Sequence, residues 1–403
     1  MTGNRLKILF FAEGATLAHV GRPFVLARGL DPARFEVVFA RPSGFAWLTD
    51  DAGFQTVDLD CQASDVFAQR LERGLPLYDY PTLQRYVEAD LALIEAHKPD
   101  LIVGDFRLSL SVSARLRSIP YITVCDAYWS PERPLASPLP VLAFTRFVPI
   151  SLAERVFHAI APLAFRLHAV PMERLRARHG LPSLGHDLRR CYSDADFRLF
   201  ANFPALFPEI KPGPQADFIG PIAWSPSPRE RLGFSDDEAP LVYVTMGSSG
   251  DPRVLAALIP VLERADTRVL VATAGKPLPL DFSSGQTRVY DYLPGDQVCK
   301  KARLVVCNGG SPTTNQALAN GVPVLGIARN MDQFLNMQAI ESYGAGLMLR
   351  ADRANETRLQ HVIASLLADT SFAERAGELA QNANLTLTLT LTQAIDNLIR
   401  TPS

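Results

Sequence analysis

The chain has 403 residues, enough for two domains, because single hydrophobic cores rarely grow beyond about 250–300 residues. Apolar residues make up 47% and charged residues 20% of the sequence, the balance of a globular protein and not of a disordered or fibrous one. The formal net charge is −2 and no block of lysine or arginine occurs, so nucleic acid is not expected as a partner.

The first half alternates short apolar runs with amphipathic helical stretches, which is the pattern of parallel βαβ units. The first apolar run is too short for a secretory signal, and no later run approaches the roughly 20 apolar residues that span a bilayer. The predicted strands are Lys7–Phe11, Phe35–Ala40, Asp100–Gly104 and Tyr121–Cys125, and the predicted helices include Pro23–Leu30 and Leu83–His97.

Residues 131–180 interrupt this alternation with an apolar, helix-patterned stretch over Val141–Leu167. A simple insertion into the first domain is one interpretation. The other is the wall of a binding site, because long insertions between core elements are often functional. Five prolines over Lys211–Glu230 then predict the join between the two domains.

The second half repeats the α/β alternation, so the simplest prediction is two doubly wound sheets, one after the other. Its predicted strands are Leu241–Met246, Arg268–Thr273, Thr287–Tyr290, Leu304–Cys307, Val322–Ile327 and Gly346–Leu349, and its helices are Val254–Arg264, Thr313–Ala319 and Gln333–Ser342. In the tail, Leu385–Thr392 alternates leucine and threonine, which alone predicts a strand. Its neighbours Phe372–Asn382 and Gln393–Arg400 fit helices, and we predict a helical tail.

The five cysteines are scattered and never form a CxxC pair, which indicates free thiols in a reducing, cytoplasmic compartment. The seven histidines show no spacing typical of metal ligands. No structural metal is therefore expected, and the oligomeric state is left open by the sequence.

A glycine-rich turn at 308–314, Asn-Gly-Gly-Ser-Pro-Thr-Thr, lies between a predicted strand and a predicted helix. That geometry leaves backbone N–H groups free to bind a phosphate, and the hydroxyls of Ser311, Thr313 and Thr314 can donate as well. An ordinary βα loop is the alternative. Two more polar turns end strands of the same half: Thr245–Gly250 and Arg329–Gln333. Because ligands of open α/β sheets bind beyond the carboxyl ends of strands, the three turns predict one site.

These motifs resemble the family 1 glycosyltransferases, which include plant and bacterial UDP-glycosyltransferases. The family's donor motif runs His-Gly-Gly-x-Gly-Thr-Thr, a helix, Gly-Val-Pro and Asp-Gln. The chain carries the corresponding residues at 308–314, 321–323 and 332–333. Tyr292-Leu293-Pro294 resembles the Trp-x-Pro segment that stacks on the nucleotide base, and Gly220-Pro221-Ile222 resembles the entry to the donor domain. The resemblance extends from Gly220 to Arg350.

The resemblance implies an α/β protein with the GT-B fold. Two Rossmann-like, doubly wound domains would face a central cleft, and a C-terminal helix would pack back on the N-terminal domain. We expect an acceptor-binding domain at 1–222, a donor-binding domain at 223–385 and a helical segment at 386–403.

The resemblance also implies the donor site. Gly310, Ser311 and Thr313 would face the diphosphate with help from Ser248, Tyr292 would stack on the base, and Asp332 and Gln333 would hold sugar hydroxyls. The full predicted set is Gly247, Ser248, Tyr292, Leu293, Asn308, Gly309, Gly310, Ser311, Thr313, Thr314, Gln316, Asp332 and Gln333. Three residues depart from the family: Asn308 replaces a histidine, Pro312 a glycine, and Gln316 the glutamate that grips the ribose. These departures bear on donor affinity and donor identity.

In the first half, Gly14–Pro23 is similar to the family's Gly-His-x-x-Pro turn, with looser spacing. The resemblance makes His19 the general base, a role that suits an imidazole, although a lone histidine near a helix start is more often structural. Asp105, after the strand Leu101–Val103, would orient His19, and Asp126 is the rival.

The implied activity is inverting transfer of a sugar from a UDP- or dTDP-sugar to a hydroxyl of an acceptor, with no metal or other cofactor. The apolar stretch Val141–Leu167 predicts that this acceptor is a hydrophobic small molecule or a lipid-like one. The alternatives are a nucleotide-sugar epimerase of the same fold, and a non-catalytic binding protein with a decayed donor site. Asp194-Ala195-Asp196 matches the DxD metal signature of the other large glycosyltransferase fold. No other acidic ligands accompany it, and we interpret it as a solvated turn.

Overall fold

Two separate parallel sheets make up the framework of the computed structural model, which describes residues 5–225, 239–247, 250, 252–278, 282–383 and 387–400. The first sheet has the strand order β3-β2-β1-β4-β5-β6-β7. Its strands are β1 (Leu6–Ala12), β2 (Phe35–Arg41), β3 (Gln55–Asp58), β4 (Leu101–Asp105), β5 (Tyr121–Cys125), β6 (Phe197–Phe200) and β7 (Ala216–Phe218).

The second sheet has the order β10-β9-β8-β11-β12-β13. Its strands are β8 (Leu241–Thr245), β9 (Arg268–Ala272), β10 (Thr287–Tyr290), β11 (Ala302–Cys307), β12 (Val324–Ala328) and β13 (Gly346–Arg350). In each sheet the strand order reverses beside the first strand, between β1 and β4 and between β8 and β11. Such switch points open the crevices in which α/β proteins bind ligands. The predicted pair of doubly wound sheets is confirmed.

Helices connect the strands and cover the sheets. They are α1 (Leu17–Gly29), α2 (Ser64–Glu72), α3 (Tyr80–His97), α4 (Leu110–Leu116), α5 (Ile150–Arg178), α6 (Leu188–Ser193), α7 (Leu255–Arg264), α8 (Gly295–Cys299), α9 (Ser311–Ala319), α10 (Met331–Tyr343), α11 (Glu356–Ala368), α12 (Ser371–Gln381) and α13 (Leu387–Arg400). Among the described helices, none is both long enough and apolar enough to cross a membrane.

The region between β5 and the second sheet differs from the sequence prediction in two ways. The helical stretch predicted at Val141–Leu167 is one long helix, α5, which begins only at Ile150 and continues to Arg178. The predicted linker contains β7, the edge strand of the first sheet. Three residues among several prolines give no strand signal of their own, so the linker prediction began too early.

The tail is helical, as predicted. Leu391, Ala394 and Ile395 of α13 fall on one side of the helix and join the buried cluster around Ile8 of the first sheet. Asp396 accepts a hydrogen bond from Arg34 at 2.9 Å. The C-terminal helix therefore packs back on the N-terminal half, as the fold prediction required. The domain boundaries at 222/223 and 385/386 stay predictions.

Candidate active site

The first candidate group is an imidazole-carboxylate pair at the switch point of the first sheet. His19 lies in the first turn of α1, just after β1, and Asp105 is the last residue of β4, in register with Ala12 of β1. The distance from His19 Nδ1 to Asp105 Oδ1 is 2.8 Å. Asp105 is completely buried, whereas the His19 side chain is 16% exposed. Because Nδ1 faces Asp105, the other ring nitrogen of His19, Nε2, is not used by this pair.

The ring of Phe106 packs against one face of the His19 ring. The two rings stack at a centroid distance of 4.8 Å with an angle of 16° between their planes. Phe106 has a φ of 56°, a left-handed conformation that is strained for a bulky residue. In this backbone conformation the Phe106 ring stacks on the imidazole of His19, while the preceding residue, Asp105, binds Nδ1 of the same imidazole.

Arg22 completes the pair, and the sequence analysis did not identify it. Its guanidinium donates to both oxygens of Asp105 at 2.7 and 2.8 Å and to Asp126 at 2.9 Å. Arg22 Nη2 also lies 3.2 Å from His19 Nδ1. His19 and Arg22 are three residues apart on α1 and therefore share one face of the helix. Asp105 contacts His19 directly, whereas Asp126, the rival acid, contacts Arg22.

Charge controls the ionisation of this buried cluster. Burial alone would raise the pKa of Asp105, but Arg22 and then His19 outweigh it and hold that pKa below its usual range. Burial would likewise lower the pKa of Arg22, but Asp105 and Asp126 outweigh it and raise that pKa. Asp105 is therefore a permanent carboxylate at neutral pH. It can fix the tautomer of His19 by accepting the Nδ1 proton.

The glycine-rich turn lies after β11, at the switch point of the second sheet. The Asn308 side chain accepts a hydrogen bond from Gly310 N at 3.0 Å. Gly309 has a φ of 82°, and a Cβ there would lie 2.7 Å from Met337 Cγ, so only glycine fits. Asn336 Nδ2 donates to Gly309 O at 2.9 Å and to Thr314 Oγ1 at 2.8 Å. Helix α10 therefore fixes the position of the turn through Asn336.

Helix α9 starts at Ser311, with Gly310 as its N-cap. The first-turn N–H groups, including those of Ser311 and Thr313, have no acceptor inside the helix, so they are available to an anion. Pro312 fits the first turn because its fixed φ suits a helix start. Gly247, after β8, has a φ of 56°, and a Cβ there would lie 3.4 Å from Asn308 Nδ2. These two turns therefore meet, while Ser248 lies outside the described residues.

The residues predicted to contact the nucleoside differ in exposure. Tyr292 is half-exposed, and its ring lies 6.5 Å from Trp47 of the first half. Leu293 is buried in the core. Gln316 is also buried and donates to Ser225 Oγ at 2.7 Å. Trp47 is a second exposed aromatic side chain beside Tyr292, and the sequence analysis did not identify it.

Asp332 joins the two halves of the chain. One of its oxygens accepts a hydrogen bond from Trp129 Nε1 at 2.7 Å, and the other accepts from Tyr128 Oη at 3.0 Å. Burial and then Asp126 raise the pKa of Asp332, against the opposing effect of Trp129, Tyr128 and His19. Asp332 is therefore close enough to His19 to feel its charge.

Gln333, the other predicted sugar ligand, caps its own helix. Its Oε1 accepts hydrogen bonds from Arg329 N at 2.8 Å and Asn330 N at 3.3 Å, while Asn330 Oδ1 accepts from Gln333 N at 3.0 Å. This reciprocal capping box fixes the start of α10. Asp332 is consequently held at the cleft by the backbone geometry that Gln333 stabilises.

Comparison with known proteins places this site in a family. Residues 257–388 match the family model for the C-terminal domain of proteins like erythromycin biosynthesis protein CIII. A PGL/p-HBAD biosynthesis glycosyltransferase of Mycobacterium tuberculosis (strain ATCC 25177 / H37Ra) is 41% identical over 380 residues, which cover 94% of this chain and 89% of that protein. The chain belongs to the family 1 glycosyltransferases. A PGL/p-HBAD biosynthesis rhamnosyltransferase of Mycobacterium bovis (strain BCG / Pasteur 1173P2) is 40% identical over 382 residues, covering 94% and 85%.

Solved structures agree on the GT-B fold of this glycosyltransferase. The glycosyltransferase of kitacinnamycin aligns with a TM-score of 0.71 at 18% identity and covers 98% of this chain and all of that one. The spinosyn rhamnosyltransferase SpnG complexed with thymidine diphosphate aligns with a TM-score of 0.68 at 18% identity, covering 98% and 100%.

The DxD segment of the glycosyltransferase has a structural use. Asp194 accepts from Arg115 at 3.1 Å and from Arg176 at 2.8 Å, and Asp196 accepts from Tyr121 N at 2.8 Å. The predicted solvated turn is therefore wrong for Asp194, whose carboxylate binds two arginines across the first domain. Among the described residues, no group of three or more His, Cys, Asp or Glu side chains is arranged to hold a metal ion.

Proposed function

We propose that this glycosyltransferase transfers a sugar from a dTDP- or UDP-sugar to a hydroxyl group of a hydrophobic acceptor, with inversion and without a metal. The observation that carries the proposal is that side chains from the two halves of the chain meet at Asp332. Tyr128 and Trp129, from the first half, both donate hydrogen bonds to Asp332 at the start of α10 in the second half. Arg22 links the pair of His19 and Asp105 to Asp126, and the charges of Asp126 and His19 both act on the pKa of Asp332.

In the proposed reaction, His19 Nε2 removes the proton of the acceptor hydroxyl as its oxygen attacks the anomeric carbon. The bond from that carbon to the diphosphate oxygen breaks, and the diphosphate keeps the electron pair. Asp105 retains its hydrogen bond to Nδ1–H and stabilises the imidazolium that forms. Because attack occurs opposite the leaving group, an α-linked donor gives a β-glycoside.

The start of α9 supports a metal-free departure of the diphosphate. Unpaired first-turn N–H groups and the positive end of the helix dipole favour an anion there, and fixed dipoles stabilise developing charge without reorganising. The exposed rings of Tyr292 and Trp47 offer an aromatic surface to the nucleobase. The thymidine diphosphate named with the spinosyn enzyme and the rhamnosyl activity named for the M. bovis relative make dTDP and rhamnose the first choices to test.

Aromatic side chains beside His19 support a hydrophobic acceptor. Phe106, under the imidazole, contacts Tyr192 at 5.3 Å, and Tyr192 contacts Trp129 at 5.1 Å between ring centroids. Trp129 is also the residue that binds Asp332, so the aromatic surface extends from the base to the sugar position. The PGL/p-HBAD biosynthesis named for the relatives suggests acceptors of that pathway. Five free cysteines support a reducing, cytoplasmic setting.

A donor panel tests the proposal. The enzyme would be incubated with dTDP- and UDP-sugars and with hydrophobic alcohols and phenols, and transferred sugars would be detected by mass spectrometry. We expect one donor to be used, a product whose anomeric configuration by NMR is opposite to that of the donor, and unchanged rates with EDTA. Donor conversion without any acceptor would favour an epimerase. Failure of both dTDP and UDP to bind in calorimetry would refute the proposed donor site.

A further inference from the structure

Helix α5 is apolar on two opposite sides, although only one side is covered. The covered side packs Ala161, Phe165, Ala169 and Met172 into the first half. On the opposite side, an apolar residue recurs every three or four positions and each is between 42% and 62% exposed: Leu152, Val156, Ile160, Leu163, Leu167 and Val170. A helix that is apolar all round is normally buried all round.

The exposed residues form one continuous surface, which we call the α5 stripe. It extends over about 27 Å along the helix, at a rise of about 1.5 Å per residue. Phe144 and Phe147, in the segment just before the helix, are exposed as well, and Phe147 is 88% exposed. Contiguous apolar surface on this scale marks a site of contact with a protein or a membrane.

Charge distinguishes between these occupants. Exposed Arg155 and Arg166 lie along one border of the α5 stripe, and exposed Arg178 lies near its end. The two acidic residues of the helix point elsewhere: Glu154 is on the half-buried side, and Glu173 is buried, where it accepts hydrogen bonds from Leu184 N and His186 N. On α5 itself, the exposed charged side chains beside the stripe are therefore all arginines.

We propose that the α5 stripe docks this glycosyltransferase on an anionic membrane surface. An amphipathic helix with leucine and phenylalanine on one face and basic residues beside them lies in the plane of the interface, with its apolar side among the acyl chains. The arginines would contact acidic headgroups. A symmetric dimer through the same face would instead bring the arginines of two copies together.

The inner side of α5 packs beside the candidate active site, so docking of the helix would also position that site. Phe165, on its inner side, packs in one cluster with Leu188, and Trp129, Tyr192 and Met331 border that cluster. Of these, Tyr192 contacts Phe106, which stacks on His19, and Trp129 donates to Asp332. A docked helix would therefore hold the acceptor cleft beside the bilayer, where a lipid-linked acceptor resides. This last step rests on the proposed function, whereas the docking itself does not.

Vesicle sedimentation tests the docking without any sugar chemistry. The full chain would be mixed with vesicles of phosphatidylcholine alone or with about 30 mol% phosphatidylglycerol. We expect binding to the anionic vesicles and at least about tenfold weaker binding to the neutral ones. The double variant L163S/L167S should lose at least about tenfold in affinity, because two leucines no longer insert. Leu389→Ser is the matched control, since Leu389 is 52% exposed on α13 and should not change binding.

A second pair of variants tests the charge. R155E/R166E should bind anionic vesicles at least about tenfold more weakly, and Arg358→Glu, an exposed arginine on α11, should bind like the unchanged protein. Circular dichroism would confirm folding. The proposal is overturned if the unchanged protein ignores both vesicle types or if L163S/L167S binds equally well. It is also overturned if sedimentation shows a dimer that L163S/L167S dissociates, since the stripe would then be covered by a second copy.

Discussion

Arg22 offers a sharp test of how His19, the proposed base, is held. Replacing it with methionine keeps most of the side-chain volume but removes the cation between Asp105, which is completely buried, and Asp126, which is 11% exposed. Removing one partner of a buried ion pair costs about 3–5 kcal/mol, because it leaves an uncompensated charge. We expect a loss of that order in the free energy of unfolding at pH 7.5.

The pH dependence of this loss follows from Asp105. In the folded protein its pKa is lowered, so the ion pair stabilises at pH values above the unfolded pKa of about 3.9 and is lost only as the pH falls through the folded value. In R22M, burial is no longer outweighed by the arginine, and the pKa of Asp105 rises. The variant should therefore lose less stability at pH 5 than at pH 7.5, as the carboxyl takes up a proton.

Urea unfolding at the two pH values measures both quantities. The three tryptophans, Trp47, Trp129 and Trp224, precede the second sheet, so their fluorescence reports on the half that contains Arg22. R264M is the matched control, because Arg264 and Glu356 are both more than half exposed and such pairs contribute about 0–1 kcal/mol. A loss below about 1 kcal/mol for R22M, or an equal loss at both pH values, would refute this account of the cluster.

Three further substitutions test the site. His19→Ala should lower kcat by about 10²–10⁴-fold and leave the Kd of dTDP unchanged, and retained turnover would exclude His19 as the base. Tyr292→Ala should weaken dTDP about tenfold in calorimetry, with Tyr292→Phe as a control that keeps the stacking ring. Asp332→Asn should raise the KM for the donor. Because a carboxylate whose folded pKa is raised destabilises above its unfolded pKa of about 3.9, the stability of this variant should also fall less than that of the unchanged protein as the pH rises. The same pH dependence in both proteins would contradict the raised pKa of Asp332.

The sequence predicted those parts of the fold that carry a strong local signal. The buried central strands were found because their apolar runs are continuous, and β5 and β10 match the prediction residue for residue. The strand β3 was missed because Gln55–Asp58 has a single apolar residue, Val57. The strand β6 (Phe197–Phe200) was also missed. In the tail, the threonines between the leucines imitate strand alternation, but Leu387 and Leu391 are also one helical turn apart.

The residues of the candidate site differ in the same respect: some carry a local sequence signal and others do not. Residues of the glycine-rich turn could be identified because strand, turn and helix start are neighbours in the chain. Arg22 could not, because its partners Asp105 and Asp126 are 83 and 104 residues away. Its spacing from His19 on one helix was the available signal. The contacts of Tyr128 and Trp129 with Asp332 depend on how two separate sheets face each other, and no local pattern encodes that.

The attachment of Arg22 has an evolutionary consequence. Through Asp105, at the end of β4, and Asp126, just after β5, the arginine ties the proposed base to adjoining strands of one sheet. Residues 131–180 lie outside these strands and can change without displacing the imidazole. If that segment lines the acceptor site, proton transfer and acceptor choice are separable traits. New specificities would then arise by exchanging outer segments, while the proposed base and its partners are inherited intact.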